Sequence, residues 1–204
     1  MKSPNVTVID YQSGNIRSVT QALSKIGSSS NVTDNHDQIR NSDAVILPGV
    51  GSATQAMREL NKRELLVPIK EFIATGKPFL GICLGLQVLL DKSEEGDTDC
   101  MGIIPGTVQH FNTTQKIPHM GWNTVHLNSS HPIFNSIADE EYFYFVHSYF
   151  AAPSKQDNIL GITQYGNITF CSVAIKENVI ATQFHPEKSG TKGLTIFKNF
   201  VNLR

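Results

Sequence analysis

Three short, mostly apolar runs, at residues 6–9, 43–47 and 77–82, are separated by stretches whose apolar residues recur at helical spacing. Such runs read as strands covered on both faces. Between them, Ile16, Val19, Leu23 and Ile26 share one helical face, which Gly27 ends. Ala53, Ala56, Met57 and Leu60 share another, and a third face, Ile69, Phe72 and Ile73, stops at Gly76. A helix continues through Leu86-Gln87-Val88-Leu89-Leu90. Strands alternating with helices need crossover connections, hence parallel pairing in a doubly wound α/β sheet.

Beyond about residue 107 the alternation gives way to strands, at 107–111, 122–127, 142–150, 169–175 and 179–184. The last two are predicted to face each other across Lys176-Glu177-Asn178. A final helix carries Leu194, Phe197 and Val201. The expected architecture is one domain, 1–204, with an open, mixed, mostly parallel sheet flanked by helices and an antiparallel extension in its second half.

Composition removes several function classes. The net charge of −1 argues against nucleic acid as a partner. No stretch is long and apolar enough to span a bilayer. The apolar run after Met1-Lys2-Ser3-Pro4-Asn5 is too short for the core of a signal peptide, so a cytoplasmic location is expected. Cys83, Cys100 and Cys171 form no C-x-x-C pair, and the histidines show no metal-ligand spacing. His126 and His131 merely flank a loop-like Asn-Ser-Ser. No metal or cofactor is expected.

The chemistry concentrates at Gly81-Ile82-Cys83-Leu84-Gly85, where a buried strand runs directly into a helix. This is the G-x-nucleophile-x-G elbow with Cys as nucleophile. The glycines are required because a β-carbon at either position would collide with neighbouring backbone. The turn lifts the sulfur out at the carboxyl end of the sheet, where ligands bind in open α/β folds. The following helix N-terminus favours a thiolate, and the Leu84 N–H can point at a developing oxyanion. Cys100 and Cys171 read as core residues.

A thiolate nucleophile needs a base that later protonates the leaving amine, and the base needs an orienting partner. His185-Pro186-Glu187 follows the strand at 179–184, and Pro186 turns the chain so that Glu187 can accept from the imidazole. His185 and Glu187 thus complete a triad with Cys83. His147, on an alternating strand, is the rival base, although its pattern also suits a wall or core histidine. Pro48-Gly49-Val50-Gly51 can supply a second oxyanion donor, although alone it would read as a plain Gly-rich turn. The chemistry expected of this set is amide hydrolysis.

These residues resemble the class I (triad) glutamine amidotransferases. With Leu47-Pro48-Gly49-Val50-Gly51, Pro118-His119-Met120-Gly121-Trp122-Asn123, Tyr144-Phe145-Val146-His147-Ser148-Tyr149 and Gln183-Phe184-His185-Pro186-Glu187-Lys188-Ser189, the resemblance narrows to the glutaminase subunits that serve imidazole glycerol phosphate synthases. It spans essentially the whole chain.

The resemblance implies hydrolysis of L-glutamine to glutamate and ammonia. The ammonia would pass to a (β/α)8-barrel cyclase partner that makes imidazole glycerol phosphate and aminoimidazole carboxamide ribotide. It implies that Val50 and Leu84 form the oxyanion hole, with a peptide flip at Val50. Gly51, Gln87, Glu95, Ser148 and Tyr149 would hold the substrate, and Asn15, Trp122, Tyr144 and Lys188 would meet the partner. Read without the resemblance, Trp122 suits an interface anchor and a lone core Trp equally. Gln12 stands where that family more often has Gly, and Ser52-Ala53-Thr54 replaces a commoner aromatic-containing run. These departures leave room for a paralogue feeding another acceptor, as in surface-sugar biosynthesis. A γ-glutamyl hydrolase or cysteine peptidase on the same elbow is the other enzymatic alternative, and a degenerate, non-catalytic subunit the third.

Overall fold

The computed structural model describes residues 4–12 and 14–203. Met1, Lys2 and Ser3 of the leading segment, Ser13 of the 10–15 motif, and Arg204 lie outside them. The first half holds β1 (Val6–Ile9), α1 (Ile16–Lys25), β2 (Ser30–Thr33), α2 (His36–Arg40), β3 (Ala44–Leu47), α3 (Ala53–Lys62), α4 (Leu66–Ala74), β4 (Phe79–Ile82) and α5 (Leu84–Gln87). The second holds β5 (Lys92–Ser93), β6 (Thr98–Asp99), β7 (Gly106–His110), β8 (His119–Leu127), β9 (Glu141–His147), β10 (Tyr149–Pro153), β11 (Ile159–Tyr165), β12 (Ile168–Lys176), β13 (Val179–Thr182) and α6 (Gly190–Phe200).

The apolar runs lie side by side in the centre of the sheet. β1 pairs in parallel with β2 and β3, β3 with β4, and β4 with β13. Every residue of β1, β3, β4 and β13 is buried, because helices cover both faces. One face packs Ala53, Leu60, Ile69 and Phe72 of α3 and α4. The other packs Val19 and Leu23 of α1 with Ile196, Phe197 and Phe200 of α6. β12 returns antiparallel to β13, with Lys176 opposite Val179, which confirms the hairpin. The antiparallel extension then grows from β12 through β10 and β11, and from β11 through β8 to β9. Among the described residues no helix is long and apolar enough to cross a membrane.

Several expected elements take a different form. The strand expected over 142–150 breaks at Ser148: β9 pairs with β8, whereas β10 pairs with β7 and β12. The alternation of β9, with Phe143, Phe145 and His147 inward, changes phase at the break, where Phe150 is the next buried residue. A run of aromatic and apolar residues in both phases does not display that shift in the sequence. The helix expected through 86–90 ends at Gln87. The carbonyls of Val88, Leu89 and Leu90 instead accept from the N–H groups of residues 101–104, which draws the chain back across the sheet. β2 and α2 carry too few apolar residues to announce themselves: β2 is a partly exposed strand reading Ser-Asn-Val-Thr. β11 contains Gly161 and register shifts on either side of it, which break the period of two.

Candidate active site

Three adjacent parallel strands deliver the candidate reacting groups. Cys83, the candidate nucleophile, follows β4, the 48–52 loop follows β3, and His185 follows β13, all at the carboxyl end of the sheet. The Cys83 N–H donates to the Thr182 carbonyl at 2.7 Å, extending the β4–β13 ladder to the nucleophile itself. There the backbone turns sharply, and Cys83 adopts φ 54° and ψ −102°. This left-handed conformation is costly for a non-glycine residue and persists only where its surroundings impose it. A Cβ on Gly85 would lie 2.0 Å from the Leu47 carbonyl oxygen, and one on Gly81 2.9 Å from that of Gly85. The glycines of the elbow are therefore demanded by backbone approach, as the motif implied.

His185 is fully buried. Its Nδ1 meets Glu187 Oε1 at 2.7 Å, and the same oxygen accepts from Asn15 Nδ2 at 3.0 Å. His185 Nε2 has no hydrogen-bond partner among the described residues, although it lies within electrostatic reach of Cys83. Burial opposes charge on the imidazole, but the negative forms of Cys83 and Glu187 outweigh it and raise the group to about 10. An imidazole that holds its proton this firmly, placed between Cys83 and Glu187, suits a base that must return a proton to a leaving amine.

A cavity of ≈ 380 Å³ opens over the sulfur. Cys83, Leu84 and Val50 line it, as do Gly51, Gln87, Glu95, Ser148 and Tyr149, so the elbow, the oxyanion candidates and the substrate candidates share one space. Gly51 has φ 101°. Glu95 reaches over α3, where its Oε2 accepts the Ala53 N–H at 2.7 Å. Tyr11 Oη donates to the Pro48 carbonyl at 2.7 Å, anchoring the start of the 48–52 loop from below. Val50 also lines a second hollow of ≈ 200 Å³ with Tyr11, Gln12 and Ser52. Gln12 has φ 67°, which explains why glycine suits that position.

His147 does not act as a base. Its Nδ1 meets the Tyr149 carbonyl at 2.8 Å and must carry the proton, so Nε2 is the acceptor. His119 Nδ1 donates to that Nε2 at 2.9 Å, and Asn123 Nδ2 meets His119 Nε2 at 3.2 Å. Both nitrogens of both rings are committed. Burial lowers His119 to about 4 and His147 to about 3, so both rings are neutral. The sequence assigned His119 no role. It stacks on Phe145 at 4.9 Å inside an aromatic cluster.

Trp122, Tyr144 and Lys188 gather at the surface on β8, on β9 and just past β13. Trp122 is 56% exposed and meets Tyr144 edge-on at 6.2 Å, while Lys188 Nζ lies 5.8 Å over the Tyr144 ring. Met120 and Tyr142, neither singled out in the sequence, widen this apolar face. Asn15 lies apart from this group: it is only 4% exposed, and its amide donates to Glu187. The doubtful histidines are accounted for, His126 by Asp139 at 2.8 Å and His131 by the Ile133 N–H at 3.2 Å. No cluster of three or more His, Cys, Asp or Glu suited to a metal occurs among the described residues.

The model of the class-I glutamine amidotransferases matches residues 7–203. The imidazole glycerol phosphate synthase subunit HisH of Thiobacillus denitrificans is 46% identical, over 98% of this chain and 91% of its own. The HisH 1 subunit of Methanococcus maripaludis is also 46% identical, over 97% and 99%. Among solved structures, PurLQS from Thermotoga maritima superposes with TM-score 0.77 at 19% identity, covering 98% of this chain and 99% of that one. A glutamine amidotransferase from the same organism gives 0.64 at 16% identity, covering 97% and 81%. At those identities the structures speak for the fold alone.

Proposed function

The chain belongs to the class-I glutamine amidotransferases, and from that premise we propose that it is the glutaminase subunit of an imidazole glycerol phosphate synthase. The observation that carries the reading is the convergence of Cys83, His185 and Glu187 at the mouths of adjacent strands, beside one cavity.

The Cys83 thiolate attacks the side-chain carbonyl carbon of glutamine. Charge moves to the carbonyl oxygen, where the Leu84 and Val50 N–H groups stabilise it. His185 then gives its proton to the departing amine, leaving a thioester and free ammonia. Neutral His185 next takes a proton from water, the hydroxide attacks the thioester, and glutamate leaves as the thiolate re-forms. Glu187, braced by Asn15, keeps the imidazole in one orientation throughout. Gln87, Glu95, Ser148, Tyr149 and the Gly51 backbone hold the amino-acid end of the substrate. The second hollow beside Val50 gives its peptide room to rotate, which supports a loop that completes the oxyanion hole only on demand.

The ammonia goes to a partner subunit, a (β/α)8-barrel cyclase. The exposed face around Met120, Trp122, Tyr142 and Tyr144, with Lys188, is the docking surface, an aromatic and basic group of the kind enriched at interface centres. The cytoplasm is the expected location. The test is ammonia release from glutamine by the chain alone, with the barrel cyclase, and with the cyclase plus its nucleotide ligand. Release is expected to be slow in the first two and fast in the third. Full activity of the chain alone would sink the regulated part, and glutamine-driven product formation by a Cys83→Ala complex would sink the triad.

A further inference from the structure

Gln183 has no role in the triad, the oxyanion hole or the substrate set, yet it is fully buried beside the nucleophile. Its orientation follows from its neighbours. The Gln87 amide group facing the Tyr149 carbonyl at 2.8 Å must be the NH2, because a carbonyl only accepts. The same Gln87 Nε2 lies 3.3 Å from the Gln183 side chain, so the Gln183 atom facing it is the oxygen. The remaining end of Gln183 is then its NH2, and that end lies 3.6 Å from Cys83 Sγ. The Tyr149 carbonyl, which also takes the His147 proton at 2.8 Å, fixes this order from the far side.

We propose that Gln183 is a fixed neutral donor to the Cys83 thiolate, holding the sulfur in its attacking position and favouring its ionised form before glutamine arrives. The inference rests on the glutaminase reading only for the identity of the attacked bond; the donor–sulfur contact stands without it. The titratable groups around the sulfur are His185 backed by Glu187, and, across the cavity, Glu95, His147 and Tyr149. None of these replaces a donor on the Gln183 side. A carboxamide also cannot pass a proton onward as imidazole can, so Gln183 positions and stabilises while His185 alone exchanges protons.

Alkylation of the isolated chain by iodoacetamide reads the sulfur directly. Burial pushes Cys100 up to about 11 and Cys171 up to about 12, so modification near neutral pH reports Cys83. In Gln183→Glu, which keeps the shape and the acceptor toward Gln87 but puts an oxygen against the sulfur, the half-maximal pH of alkylation should rise by a unit or more. That is about tenfold slower modification at pH values below the wild-type midpoint, with the high-pH plateau retained. Gln183→Met should shift it the same way by less. In the wild-type chain, the side-chain amide signals of Gln183 should move with the same midpoint as alkylation, a readout that needs no variant to fold. Profiles of both variants superimposing on wild type, or amide signals that ignore the titration, overturn the proposal. If wild-type alkylation and amide shifts behave as expected while no partner elicits glutamine hydrolysis, the glutaminase reading fails and the Gln183 contact survives.

Discussion

The main-chain carbonyl of Tyr144 accepts the His185 N–H at 2.9 Å, so the strand bearing the exposed aromatic face also holds the loop bearing the base. Ser189 doubles this tie, since its Oγ accepts from the Tyr144 N–H at 3.0 Å and donates to the His185 carbonyl at 2.7 Å. β9 is thus tied to the backbone of His185 by two routes, one direct and one through the Ser189 hydroxyl. Ser189→Ala removes two of these three hydrogen bonds, leaving the Tyr144 N–H without its acceptor and the His185 carbonyl short of a donor. It should destabilise the chain by about 1–2 kcal/mol in urea unfolding and lower kcat of the partnered enzyme more than it raises KM.

Gly85 admits no side chain. A Cβ there falls 2.0 Å from the Leu47 oxygen, so Gly85→Ala must push β3 away from the elbow or release the strained φ of Cys83. The expected cost is about 3 kcal/mol or more, seen as a lower Tm. Cys83 alkylation in whatever chain remains folded should lose its selectivity over the other thiols.

Trp122 acts outward. With more than half its surface in solvent, Trp122→Ala should leave the Tm of the isolated chain within a degree or two, while partner affinity falls by roughly 10–100-fold. Calorimetric titration with the cyclase measures both the loss and its cause. Unchanged affinity would place the docking surface elsewhere.

The buried imidazoles set the acid limit. His119 and His147 are held neutral, lowered to about 4 and about 3 chiefly by burial. Both stay unprotonated in the fold while the unfolded chain protonates near 6.5. The stability they allow is complete above 6.5 and is lost as pH falls through 4 and 3, with a slope of about 1.4 kcal/mol per pH unit for His147. His185 works in the opposite sense: raised to about 10, its contribution is complete below 6.5 and is lost as pH climbs toward 10. Urea midpoints measured from pH 4 to 10 should therefore peak near pH 6.5 and fall on both sides, and His119→Phe should flatten the acid limb.

Glu187→Gln tests the orienting role. The carboxylate holds His185 Nδ1 and Asn15 Nδ2 on one oxygen, and an amide cannot serve both donors with the same charge. The kcat for glutamine hydrolysis should fall by roughly 10²–10⁴, with ammonia-driven synthesis by the complex unaffected.

The parallel core was legible because β1, β3, β4 and β13 are buried on both faces and so are almost wholly apolar, with Thr7 and Thr182 as their polar exceptions. The elbow was legible for a mechanical reason, since only glycine fits where β4 meets α5. Less could be read where polar groups take their partners from distant strands. Asn15 looks like a loop residue until α1 is docked and its amide meets Glu187. His147 looks like a base until His119, from another strand, occupies its free nitrogen. Gln183 did leave a trace, two residues before His185 and hence on the same side of an extended chain, but nothing in the sequence orients its amide. The break at Ser148 left none, because the residues around it are aromatic or apolar in both phases and hide the change in which side faces inward.

The arrangement of β4 beside β13 also governs when the protein becomes dangerous. A hundred residues separate Cys83 from Gln183, and His185 comes later still. A chain emerging from the ribosome presents its thiol long before any base, donor or orienting carboxylate exists to activate it. Nor can the first ninety or so residues, which already contain the elbow, make a reactive site alone, because the strand that lies against β4 on that side is among the last to be synthesised. Reactivity is thus deferred to the end of translation, and a truncated product carries an ordinary cysteine.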